Sequence, residues 1–168
     1  MESVNKNNPQ VVVLGVGNIL MGDEGIGVRA VEELEKRYEV PDNVEIVDGG
    51  TSGMSLINYM EGKDAVYIID AIQKKGSSPG HVVVIDLLEK PNFYRIKISP
   101  HQLGISDLLH IMTISEILPK KIQLIGIVPK SLEPGLELSP EAKKGIEQAL
   151  GVLIGILEGS NILIRKMY

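Results

Sequence analysis

A chain of 168 residues suffices for one domain with a substantial core and is short for two. Hydrophobic residues make up 43% of it, which excludes a disordered chain, and with no Trp and a single Phe the core has to be aliphatic. The net charge of −5 argues against a phosphate-backbone partner, and the absence of cysteine excludes a disulfide scaffold, a thiolate metal site and a cysteine nucleophile.

Residues 1–9 are polar, lack the apolar stretch of a signal peptide and read as a loose tail before a single domain that fills residues 1–168. Residues 11–14 are a short apolar run ending at Gly15, the pattern of a strand buried on both faces. Gly27, Ala30, Val31, Leu34 and Tyr38 follow at helical spacing, and Pro41 and Asp42 end that helix. Residues 44–47 form a second strand closed by Asp48-Gly49-Gly50. Gly53, Leu56, Ile57 and Met60 make a second helical stripe, with Thr51 or Ser52 as its cap. Residues 65–69 are a third strand, ending at Asp70. These alternations predict parallel βαβ units.

After the turn signal Ser77-Ser78-Pro79-Gly80, residues 81–87 form a strand that follows too closely for a parallel return, so it is expected to be antiparallel. Ser99-Pro100 reads as an N-cap with proline at the first helical position, opening a helix that carries Leu108, Leu109 and Met112. Residues 122–128 are the last strand. Ser139-Pro140-Glu141 opens a final helix with Ile146, Ala149, Leu150, Leu153, Ile154 and Leu157 on one face. The architecture expected is a three-layer α/β/α sandwich with about five strands. No segment reaches the roughly 18 apolar residues of a membrane span, so the chain reads as cytoplasmic, with no membrane or nucleic-acid partner, and as a monomer.

Ligands in open α/β sheets bind beyond the carboxyl ends of the strands. Three acidic positions fall there: Glu24, with Asp23 beside it, past the first strand, Asp48 at the end of the second and Asp70 at the end of the third. Side-by-side burial of carboxylates is costly unless a cation or a proton joins them. Each acid taken alone also fits a cap or a turn. Of the three histidines, His101 is placed in the first turn of its helix. His110 is nine residues on and, at about 100° per residue, half a turn out of phase. His81 opens a strand after a turn and is expected to face solvent. Two carboxylates and one imidazole suit a divalent ion of borderline softness and leave coordination positions open. No H-E-x-x-H or P-loop motif is present. A dinucleotide fingerprint from Gly15 and Gly17 would need a third glycine at position 20, which is Leu20, and it meets an Asp-Glu pair where a pyrophosphate would lie.

Gly15-Val16-Gly17-Asn18-Ile19-Leu20-Met21-Gly22-Asp23-Glu24-Gly25-Ile26-Gly27, Asp48-Gly49-Gly50-Thr51, Asp70-Ala71 and Ser99-Pro100-His101-Gln102-Leu103-Gly104 resemble, in this order and spacing, the motifs of the hydrogenase maturation endopeptidases. Residues 126–139, with Ser131-Leu132-Glu133-Pro134, resemble the same family late in the chain. The resemblance runs over residues 11–157. It implies a five-stranded mixed sheet of order 2-1-3-5-4 with strand 4 antiparallel, of the phosphorylase/hydrolase-like kind. It implies an aspartyl-type or metal-dependent endopeptidase that removes the C-terminal extension of a nickel-loaded precursor of the large subunit of nickel–iron hydrogenase. It carries Glu24, Asp70 and His101 over as metal-contacting residues and Asp48 as an acid with a part in catalysis. Glu24 and Asp70 are also catalytic candidates on this reading. The nickel would be carried by the substrate, and zinc or cadmium would suit the same site. A nickel-sensing chaperone without bond cleavage is the alternative reading, and a nucleotide-binding domain the more distant one.

Overall fold

The structure, a computed structural model, describes residues 8–89 and 104–168. Five strands form one sheet: β1 (Val11–Val16), β2 (Val44–Gly50), β3 (Ala65–Ala71), β4 (Val82–Asp86) and β5 (Lys121–Ile127). Their order is β2-β1-β3-β5-β4, and β4 alone runs antiparallel to its neighbour. This is the expected topology, and its reason is the one the connection length gives: ten residues between β3 and β4 leave no room for a crossover helix.

β1 and β3 are buried at every position because each has a strand on both sides and helices on both faces. Strand alternation divides their side chains between two cores. Val11, Val13, Tyr67 and Ile69 pack with helices α1 (Ile26–Arg37) and α4 (Pro140–Gly159), through residues such as Val31, Leu34, Leu150 and Leu153. Val12, Leu14, Val66 and Ile68 pack on the other face with the short helix α2 (Ile57–Met60) and with α3 (Ile105–Ile114), through Met60, Leu108 and Met112. The three layers follow. Among the described residues no helix is long and apolar enough to cross a membrane.

Several local expectations are corrected. α1 ends at Arg37, and Tyr38 turns extended to pair with Lys166 in a two-residue ribbon, so the last member of its apolar stripe is not helical. The second helix is a 3-10 turn, Gly53–Leu56, followed by one α turn, and neither Thr51 nor Ser52 caps it through a side chain. The helix carrying Leu108 and Met112 starts at Ile105, later than Ser99-Pro100 suggests. Gly104 is its N-cap, and the Gly104 N–H donates to Asp107 Oδ2 at 2.9 Å, closing the first turn there. His101 itself and the Ser99-Pro100 cap lie outside the described residues, as do residues 1–7 of the expected tail. Pro9 is tied down, its carbonyl accepting from Asn43 Nδ2 at 2.7 Å. The cap at Ser139 is found as expected: its hydroxyl accepts from the Ala142 N–H at 3.1 Å.

Candidate functional site

Past β1 the chain must turn sharply, and its glycines allow this by close approach. Gly17 has φ +143°, and a Cβ there would overlap the carbonyl oxygen of Glu24. A Cβ at Gly27 would overlap the carbonyl oxygens of Ile69 and Val16, so glycine lets the start of α1 lie directly on the sheet. Gly15 in turn meets the Gly27 carbonyl. Of the two glycines that suggest a dinucleotide fingerprint, Gly15 thus serves helix–sheet contact and Gly17 the close approach of the Glu24 turn. A 3-10 turn, Gly22–Gly25, carries Asp23 and Glu24 inward, and both are buried, at 2% and 1% exposure.

The two neighbours have different tasks. Asp23 is a staple between loops. Its Oδ1 accepts from the Ser139 N–H at 2.8 Å, and its Oδ2 accepts from the Lys130 N–H at 2.8 Å and the Ser139 hydroxyl at 2.7 Å. The Asp23 N–H returns to the Ser131 carbonyl at 3.2 Å, and Gly22 and Leu20 bond to Gly135. The turn that presents Glu24 is therefore fixed by the segment between β5 and α4. Sequence reasoning gives Asp23 only a place beside Glu24, with a cap or a turn as its structural role, and misses this one. The sole signal is that Ser131 and Ser139 belong to the late family-like stretch, with no periodicity linking them to position 23.

Asp70 lies in the last residues of the central strand β3 and is fully buried. It shares the face of Val66 and Ile68, which α2 and α3 cover. Its Oδ1 accepts from the Ala71 N–H at 2.7 Å, and its Oδ2 is buried with no hydrogen-bond partner among the described residues. Burial raises its carboxyl well above the ordinary range, the Ala71 N–H pulls the other way, and the charge of Glu24 raises it further. An oxygen left without a partner on a carboxyl that resists ionisation is one that a proton or a cation would satisfy.

Asp48 is elsewhere on the same edge. It is paired with Gly15 across β1, and Gly15 pairs with Ile69 beyond, so about two strand spacings, roughly 10 Å, separate Asp48 from β3. It is exposed, and its Oδ1 accepts from the Gly50 N–H at 3.0 Å, the local turn bond of an Asp-Gly-Gly sequence. The structure therefore brings Glu24 and Asp70 together and leaves Asp48 at the rim. Among the described residues no three His, Asp or Glu side chains gather as a metal site. His81 and His110 are both exposed.

The profile of the HycI hydrogenase maturation protease family matches residues 28–156. The Hydrogenase 2 maturation protease of Escherichia coli (strain K12) is 46% identical over 153 residues, covering 91% of this chain and 93% of that protein. The hydrogenase expression/formation protein HupD of Bradyrhizobium diazoefficiens is 41% identical over 159 residues, covering 94% and 82%. Among solved structures, the hydrogenase maturating endopeptidase HybD from E. coli superposes with a TM-score of 0.86 at 45% identity, covering 94% of this chain and 97% of that one. The [NiFe] hydrogenase maturation protease HybD from Thermococcus kodakarensis gives 0.70 at 30% identity, covering 88% and 98%.

Proposed function

This chain belongs to the hydrogenase maturation protease family, whose members are hydrolases, and from that premise we propose that it removes the C-terminal extension of a nickel-loaded precursor of a [NiFe] hydrogenase large subunit. The single observation that carries the reading is the buried pair of Glu24 and Asp70 at the carboxyl edge, with Oδ2 of Asp70 lacking a partner among the described residues.

The donor set fits a divalent ion. A cation would satisfy that orphaned oxygen and offset the repulsion between the two carboxylates. The ion is part of the substrate: nickel already seated in the precursor. Glu24 and Asp70 would hold it, with His101 as the nitrogen donor. In the sequence His101 comes three residues before Gly104, the N-cap of the helix that packs on the face Asp70 occupies. Zinc or cadmium would suit the same oxygen and nitrogen donors. Without an ion the acid pair disfavours a docked peptide, so it makes cleavage conditional on nickel.

Asp48 is the acid with access to solvent, and its place at the rim suits a general base that takes a proton from the attacking water. Polarisation of the scissile carbonyl by the ion would serve the same step from the other side.

The test is the mass of a purified, nickel-loaded precursor after incubation with this protein, with nickel present or withheld, repeated with Glu24→Gln. Loss of a C-terminal peptide only with nickel, and none with the variant, is expected. An intact precursor would point to a nickel-sensing chaperone instead.

A further inference from the structure

The carboxyl edge of the sheet changes sign along its length. On the β2–β1–β3 side stand Asp48, Glu24 and Asp70. On the β3–β5 side the chain leaving β3 carries Lys74 and Lys75, and the chain leaving β5 carries Lys130. These lysines, with Gln73, Ser131 and Leu132, line a cavity of about 550 Å³ whose lining contains no acidic residue. That volume is ample for a ligand of several residues. In a chain of net charge −5, three cations around one opening are a local reversal. The Lys130 ammonium pairs with Glu141 at 2.8 Å, whereas Lys74 and Lys75 are exposed and enter no ion pair among the described residues.

The cavity is also fixed relative to the acid pair. Its Lys130 N–H is one of the donors to Asp23, the residue beside Glu24. Asp70 pairs with Gly126, and Val128 of the cavity wall follows two residues later, so roughly 8 Å separates them by strand geometry. Two or three extended peptide residues span that distance.

We propose that this lysine-lined cavity receives the carboxylates of the substrate's C-terminal extension. The peptide then crosses the edge in one direction: its nickel-bearing part over Glu24 and Asp70, its extension over Lys74 and Lys75. Every extension ends in a carboxylate, which the acidic half of the edge repels and the basic half attracts. The inference rests on the reading of the chain as the processing endopeptidase.

The test uses the full chain and the nickel-loaded precursor, with KM and kcat measured separately for wild type and for Lys74→Glu/Lys75→Glu. Both lysines are exposed, and a thermal melt checks that the variant folds as wild type does. A rise in KM of about tenfold or more with kcat little changed is expected. A synthetic peptide with the sequence of the released extension should inhibit wild type and not the variant. If the amidated peptide loses that inhibition, the terminal carboxylate is the ligand. If only replacement of its Asp and Glu by Asn and Gln abolishes inhibition, the side-chain carboxylates are. An unchanged KM, or inhibition indifferent to both changes, overturns the proposal. A wild-type protein that leaves the precursor intact overturns the parent reading, and this one with it.

Discussion

Replacing Asp23 by alanine removes the acceptor of three short hydrogen bonds at once: from the Lys130 N–H and Ser139 N–H, both 2.8 Å, and from the Ser139 hydroxyl at 2.7 Å. Hydrogen bonds to a charged acceptor contribute about 1.5–3 kcal/mol each when buried. Lys130 and Ser139 are open enough for water to replace part of that, so about 1 kcal/mol per bond, or roughly 3 kcal/mol in all, is expected. For a domain with a stability of about 5–15 kcal/mol this is a large fraction. At about 2–4 °C per kcal/mol it lowers Tm by roughly 6–12 °C. Ser139→Ala removes one of the three bonds together with the cap on Ala142, about 2 kcal/mol. The hydroxyl–carboxylate bond is counted in both single variants, so the double variant should fall short of additivity by about 1 kcal/mol. Urea denaturation followed by circular dichroism measures all four proteins. A loss below about 1 kcal/mol for Asp23→Ala, or strict additivity in the cycle, refutes the staple.

Asp70→Asn and His101→Ala should each give a folded protein that does not process precursor, and normal processing by both would remove the proposed site. Divalent ion binding should strengthen as pH rises above the ordinary carboxylate value of 3.8, because the ion must displace the proton that burial and Glu24 hold on Asp70. Calorimetry in two buffers of different ionisation enthalpy should show proton release, and its absence contradicts the argument. The same shift has a sign for the metal-free protein: above 3.8 the folded state keeps a proton that the unfolded chain releases, so this group's contribution to stability falls as pH rises. Asp70→Asn should flatten that slope in melts taken across the acid-to-neutral range. Gly17→Ala should lower both stability and processing, since its φ of +143° is strained for alanine and its Cβ meets the Glu24 carbonyl. Equal melting of Gly17→Ala and wild type would contradict this.

The fold was largely legible because its core strands carry simple signals. β1 and the first five residues of β3 are unbroken apolar runs, and the short β3–β4 connection forces the antiparallel strand. What escaped sequence reading was set by tertiary contact. The start of α3 is set by the reciprocal bonds between Gly104 and Asp107, while Ser-Pro upstream gives a stronger local signal for a cap. Tyr38 fits a helical stripe by spacing, yet it is taken by a ribbon with Lys166, far along the chain. At the site, strand-end position marked Asp48 and Asp70 alike, and it could not tell a solvent-facing turn residue from a fully buried carboxyl. Asp23 was hidden because its partners are more than a hundred residues away and two of them are backbone groups.

The two walls that carry Glu24 and Asp70 are held by unequal hydrogen bonding. Asp70 belongs to a seven-residue strand hydrogen-bonded on both sides, whose amide hydrogens exchange with solvent only when much of the domain opens. Glu24 rides on a short buried turn clasped by loop hydrogen bonds, which are expected to open locally and more often. Whatever closes between them meets an anvil on one side and a jaw on the other. On the proposed reading, adjustment to the size of an ion would fall to the Glu24 turn, and hydrogen exchange at Gly22 and Asp23 is where that motion would be read.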